Sequence, residues 1–299
     1  MMNKNLLLLL ALLLFCFSCK NNKRASDAFG VFQATEVIVS SESNGKMLTF
    51  IVEEGKTYHE GEVVGCIDTV PIYLRIKQLD ASIAAAMAKR PDVPSQVRVL
   101  YSKLESLNKE KERMTTLVAA NAATTKDLDA INAEISVTDG QIAAAESDLT
   151  NINKSILEEV EAMRFEKMQL QIALTKCYIK SPITGTVLKK YIEPSELAFQ
   201  GKPLFKIADY SNMFIKVYIT EDMLSTVFLG QLVDIHIDMP NDKEKVMEGT
   251  VSWISDKAEF TPKFIQTKNE RVNLVYAVKV AFQNDGSAKI GMPGDVKFK

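Results

Sequence analysis

Between residues 72 and 174 apolar side chains recur every seven positions, in two successive runs. The later run sets Leu128, Ile135, Ile142, Leu149, Ile156, Met163 and Leu170 at one position. Ile131, Thr138, Ala145, Ile152, Glu159, Glu166 and Ala173 follow three residues on, losing apolar character near Glu159. The earlier run sets Ile76, Ile83, Arg90, Val97, Leu104, Lys111 and Val118 seven apart. Its companion position holds Ile72, Leu79, Ala86, Val93, Leu100, Leu107 and Met114. A heptad sustained this long predicts coiled coil. At 1.5 Å per residue the second leg should reach about 70 Å. Pro91 and Pro94 should interrupt the first leg, since proline removes a donor and restricts its predecessor. The heptad phase is unchanged across them, so a kink or short break is expected, with helix resuming near Pro94. Counting out from Asn121, Ile72 and Leu170 lie equally far, so the legs match in length. Thr124 and Asp127 make a capping-box-like restart. A short link between equal helices predicts an antiparallel hairpin; the matched lengths favour self-pairing over an intermolecular coiled coil.

On either side of the helical stretch the pattern changes to short β-rich runs separated by glycine turns. Residues 43–68 break into short β-rich runs at Gly45, Gly55, Gly61 and Gly65. Residues 179–209 repeat the scheme, with Gly185, a Glu-containing turn at Glu193–Glu196, Gly201 and a run ending in Asp209. This is one internal repeat interrupted by a helical insert. Residues 213–220 alternate as a half-buried strand. Residues 221–228 suggest a short helix capped by Thr220. Further strands are expected at 231–238, 248–254 and 272–281, with a last one after Gly294.

The first residues follow neither pattern. Residues 6–17 are an apolar run behind Lys4. It is shorter than the roughly 20 residues a membrane span needs, so it reads as a signal peptide over 1–18. Ser18 before Cys19 resembles a bacterial lipobox, although Cys16 replaces the usual upstream Leu. Cys19 would then be the lipid attachment point, with 19–35 as anchor and polar tether; the other reading is plain secretion. Cys66 and Cys177 remain in the mature body, and two widely spaced cysteines read as free buried thiols rather than a disulfide framework.

Charge and composition narrow the function classes. Lys and Arg number 36 against 38 Asp and Glu, so no basic excess points to nucleic acid. His59 and His236 are the only histidines, which leaves the usual triads and His-rich metal sites without material. No catalytic constellation is visible, no cofactor or metal is called for, and the expectation is a protein that is not an enzyme.

The order half-motif, helical hairpin, half-motif resembles the HlyD-type membrane fusion proteins, the periplasmic adaptors of bacterial efflux and secretion systems. Ser195 departs from the pattern, standing where the second half usually has a turn Gly. The resemblance implies an α+β fold: a long antiparallel coiled-coil hairpin (71–176) inserted in a split lipoyl-like β sandwich (36–70 and 177–209), followed by a β-barrel domain (210–299). The stretch 258–276 is similar to adaptors that serve ABC-type exporters. The implied partners are an inner-membrane transporter, ABC-type favoured, a TolC-like outer-membrane channel, membrane lipid through the N-terminal anchor, and further copies of the chain in a ring, as a hexamer. The implied location is the periplasm, with the chain anchored to the inner membrane as a lipoprotein. Arg113, Leu117 and Thr124 resemble the Arg, Leu and Ser by which such adaptors meet the channel. For each, the plainer reading is a solvated charge, a side chain packed inside the tip, and a helix cap. Two other functions stay open: a lipid-anchored envelope scaffold without transport, and a lipoyl carrier modified at Lys257, within Asp256, Lys257 and Ala258.

Overall fold

The computed structural model describes residues 26–240, 243–260 and 274–299. The signal peptide, Cys19 and most of the segment compared with ABC-type adaptors lie outside the described residues.

Two cores organise the β structure. In the first, β1 (Ala28–Ser40), β2 (Gly45–Phe50), β3 (Thr57–Tyr58) and β4 (Val63–Ile67) precede the helical insert. Then β5 (Tyr178–Lys180), β6 (Gly185–Lys190), β7 (Leu197–Ala198) and the start of β8 (Pro203–Ile219) follow it. Met47, Tyr58, Val64, Ile67, Ile179, Val187, Leu204, Phe205 and Ile207 share the core, so neither half buries its apolar face without the other. The halves superimpose in sequence at a constant offset of 140 (181 − 41, 201 − 61). Gly61 donates to Ser181 O at 2.8 Å, and Gly201 donates to Ser41 O at 2.8 Å. Ser41 Oγ donates to Ser43 O and Ser181 Oγ to Ile183 O, at 2.6 and 2.7 Å. The repeat read from sequence is thus a two-fold exchange of backbone hydrogen bonds.

The offset pairs Gly55 with Ser195, and both have left-handed backbones, φ 82° and 75°. A serine there bears a strain that glycine avoids, costing about 1–2 kcal/mol.

The second core fills a closed barrel. Antiparallel pairing runs β1, β12 (Pro293–Phe298), β9 (Leu232–Met239), β10 (Lys243–Phe260), β11 (Leu274–Gln283), β8 and back to β1. Closure pairs the barrel strands with one another around the ring. Phe32 stacks edge-on against Phe282, ring centroids 5.4 Å apart, among Ile215, Val217, Ile235, Val280 and Val296. Strands β1 and β8 serve both cores. Glu36–Ser40 faces Ala208–Pro203 in the lipoyl-like module, and Phe29–Ala34 faces Tyr218–Met213 in the barrel, with a register shift between Ala34 and Glu36. Residues 28–34 are therefore a barrel strand and not the tether expected over 19–35. Ala28, Gly30, Phe32 and Ala34 point inward in strict alternation. Gly30 lets the strands close up, since a Cβ there would lie 1.9 Å from Lys216 O.

The hairpin comprises α1 (Val70–Ala88), α2 (Val93–Ala119) and α3 (Thr125–Thr175). The first leg breaks at Lys89–Asp92 and resumes with Pro94 in its opening turn, as the sequence predicts. Asn153 on the facing leg meets the break: it accepts from Arg90 Nε at 3.2 Å and donates to Pro91 O at 3.4 Å. The heptad of the second leg does not persist as expected. Up to Ile142 the inward companion lies three residues on, as with fully buried Thr138. Beyond Leu149 it lies four on, so Val160 is 1% exposed while Ile152 is 48% exposed. A straight helix drifts by about 20° per heptad, and the seam moves by one residue where the break frees the partner from its supercoil.

The short helix α4 (Glu221–Leu224) stops well before the expected residue 228, and Thr220 makes no side-chain cap. Val227 is drawn into the barrel core, which bends the chain out of helix.

Candidate functional site

The tip of the hairpin is built from two helix ends. At the end of α2, Asn121 takes a left-handed backbone, φ 56°. Its N–H donates to Val118 O at 3.0 Å, and Ala122 N–H donates to Leu117 O at 2.9 Å. This is a Schellman closure, with Asn in the usual glycine place. Two residues later Thr124 starts α3 with a complete capping box. Thr124 Oγ1 accepts from Asp127 N–H at 3.3 Å and donates to Asp127 Oδ2 at 2.6 Å; Thr124 N–H donates to the same carboxylate at 3.1 Å. Those bonds hold the Asp127 carboxyl below the usual carboxylate range.

Arg113 and Leu117 lie one turn apart on α2, on one face. The Arg113 side chain is 69% exposed, and its guanidinium donates to both carboxylate oxygens of Glu110 at 2.6 and 2.5 Å. That hydrogen bond and the Glu110 charge raise the Arg113 pKa further. The cation is therefore fixed in direction and still open to a partner. Leu117 is 38% exposed, not sealed inside the tip. Thr124 does cap its helix, so its hydroxyl is already engaged. The sequence missed Glu110 and Asn121; an Asn just past a heptad run was the available signal for the second.

Among the described residues no group of His, Cys, Asp and Glu could hold a metal ion, and no helix is long and apolar enough to cross a membrane. Lys257 lies inside β10, at a register shift between Ile254 and Ala258. Cys66 and Cys177 are unpaired; Cys177 is buried with Sγ 3.3 Å from Ser43 Oγ, and burial pushes the half-buried Cys66 thiol up.

The split lipoyl-like sandwich, the long inserted hairpin and the six-stranded barrel on shared strands together give a fold similar to that of membrane fusion proteins of known structure. The crystal structure of MacA from Actinobacillus actinomycetemcomitans superimposes with TM-score 0.57 at 18% identity, over 91% of this chain and 77% of that one. The membrane fusion protein Spr0693 from Streptococcus pneumoniae R6 gives TM-score 0.50 at 18% identity, over 91% and 97%. By sequence, the chain is 24% identical over 275 residues to a UPF0194 membrane protein of Yersinia pseudotuberculosis serotype O:3, covering 85% of this chain and 83% of that protein. No family model matches the chain.

Proposed function

We propose that the chain is a periplasmic adaptor that links an inner-membrane transporter to a TolC-like outer-membrane channel. The observation that carries this reading is the insertion itself. A hairpin about 75 Å long projects from a module whose halves are locked by exchanged hydrogen bonds, and it ends in an exposed, rigidly capped tip. Such a body has reach and orientation. In this reading the acyl chains on Cys19 hold the barrel end at the inner membrane, as about 0.8 kcal/mol per buried CH₂ makes several chains a firm anchor. The hairpins of several copies, a hexamer by resemblance, surround a conduit. The transporter is ABC-type by the same resemblance.

At the tip, Arg113 offers hydrogen bonds to backbone carbonyls or carboxylates of the channel. Leu117 supplies apolar contact beside it, and Thr124 keeps the second helix end at a fixed position. Arg113 is solvent-exposed, so Arg113→Asp should leave the circular dichroism spectrum and thermal transition unchanged while export falls at least about tenfold. Unchanged export together with unchanged crosslinking to the channel would defeat the docking assignment. Co-purification with no inner-membrane ATPase would favour the envelope scaffold instead.

A further inference from the structure

One end of the barrel gathers three features. The chain enters there at Asp27, whose N–H donates to Val296 O at 3.0 Å and whose carboxylate accepts from Phe298 N–H at 2.9 Å. Lys299 lies there too, because its N–H donates to Leu232 O at 3.3 Å. The third feature is the turn at Phe228, Leu229, Gly230 and Gln231. Gln231 Nε2 donates to Lys299 O at 3.1 Å, and Phe228 N–H donates to Gln231 Oε1 at 3.1 Å. Gln231 N–H closes the turn on Phe228 O at 3.2 Å, and Gly230 supplies the left-handed backbone, φ 85°. The turn is further held to β10 by Gly230 N–H on Val251 O and Val251 N–H on Gln231 O, both at 2.9 Å.

A tight turn on a protein surface ordinarily presents polar or small residues. This one presents Phe228 at 62% exposure and Leu229 at 65%. Leu232, 53% exposed, and Phe29, 42% exposed, lie on the strands that start at the same end. The scaffold under them is rigid, so the apolar pair is held out and not merely loose.

We propose that this turn seats in the lipid of the inner membrane, with Phe228 and Leu229 in the boundary between headgroups and acyl chains. The proposal rests on the lipid attachment at Cys19 made above. Eight Cα-to-Cα steps (27 − 19) separate that cysteine from Asp27. Fully extended they span about 30 Å at most, so the entry point and the neighbouring turn cannot leave the vicinity of the bilayer. The turn itself, Phe228 to Gln231, carries no charge. Glu221 and Asp222 on α4 are exposed and acidic, while Lys20, Lys23 and Arg24 of the tether are basic. Lys299 is paired with Asp234 and Glu248 at 2.9 and 2.7 Å. Seating by apolar contact should therefore survive added salt.

Trp253 is the only tryptophan, so a Trp253→Phe background gives a silent chain. The full-length lipidated protein carrying Phe228→Trp is reconstituted in phosphatidylethanolamine–phosphatidylglycerol vesicles whose acyl chains are brominated. Met239→Trp, at the opposite end of β9, is the control. Fluorescence of the Phe228→Trp protein should be quenched several-fold more than that of the control, and equally at low and high salt. Equal quenching at both positions overturns the proposal, as does quenching that salt abolishes. These vesicles hold no transporter, so a turn that meets protein instead of lipid also gives no differential quenching. In chains carrying Cys19→Ser, Phe228→Asp with Leu229→Asp should lower vesicle co-sedimentation about tenfold. Intact mass decides the anchor separately: a mature chain without acyl mass removes the Cys19 reading, while the quenching ratio still reports on the turn.

Discussion

The barrel and the hairpin bury apolar side chains in different ways. The barrel closes six strands on one another and fills the interior from all sides, so that Phe32, Ile215, Val217, Ile235 and Val280 are each fully buried. The hairpin has a single seam. Along its whole length Ile76, Leu79, Ala86, Val97, Thr138, Ile142 and Val160 are its buried residues. Between the legs run ion pairs such as Arg75–Glu166 and Lys103–Glu134, at 3.1 and 3.0 Å, on side chains about half exposed. Pairs of that kind contribute little each. The difference separates two tasks: the barrel supplies cooperative stability, and the hairpin supplies length at low local stability. A barrel lesion should lower the global transition, whereas a seam lesion should open only its own neighbourhood.

The largest expected effect tests that division directly. Phe32→Ala removes a fully buried ring packed on Phe282 and should cost about 3–5 kcal/mol, lowering the main thermal transition. Val160→Ala removes the most buried side chain of the lower hairpin. It should cost roughly 1–2 kcal/mol, seen as faster amide exchange in residues near the base of the hairpin, with the main transition nearly unmoved. A fall in the main transition as large as that of Phe32→Ala would show that hairpin and barrel form one cooperative unit.

The next effect is smaller and tests the two-fold inside the lipoyl-like module. Gly55 and Ser195 occupy equivalent turns with φ 82° and 75°. A Cβ at Gly55 would meet nothing within 4 Å, so Gly55→Ser isolates the backbone term. It should destabilise the chain by about 1 kcal/mol, and Ser195→Gly should stabilise it by a comparable or smaller amount. Urea denaturation measures both. Equal signs for the two substitutions would break the equivalence of the halves.

What could be read in advance depended on how far apart the cooperating residues stand. Heptads and capping are local, so the hairpin, its break at Pro91 and the Thr124 box were legible from spacing. The half-motifs carry matching glycines, so the repeat was legible although its hydrogen bonds cross from one half to the other. The inner part of β1 was not legible, because its partners β8 and β12 come from the far end of the chain, and alternation over Ala28 to Ala34 is short. The seam shift past Leu149 was hidden for a related reason: Asn153 belongs inside only because the opposite leg breaks at Arg90 and Pro91. At the tip, the spacing of Arg113, Leu117 and Thr124 was visible but the Glu110 clamp on Arg113 was not. The sequence pattern carries the short helix on to Phe228, because nothing local reveals that Val227 is pulled into the barrel.

The smallest effect is confined to the tip and separates capping from docking at Thr124. The Thr124 hydroxyl and backbone N–H hold the Asp127 carboxyl below its ordinary range. A group whose folded pKa is depressed contributes fully above its unfolded value, about 3.9, and loses that contribution as pH falls through the lower folded value. The tip should therefore stay capped throughout the neutral range and fray only in strong acid. Thr124→Ala removes the hydroxyl, so the Asp127 titration followed by NMR should move back up toward the ordinary value. Amide exchange over 124–128 should then quicken, with the barrel transition unchanged. Thr124→Ser keeps an oxygen at the same place and should restore both readouts. If Thr124→Ala leaves the Asp127 titration where it was, the box does not hold the tip, and the hydroxyl is free for a partner. If the titration moves and Thr124→Ser restores it, the hydroxyl acts as the cap that fixes the start of α3.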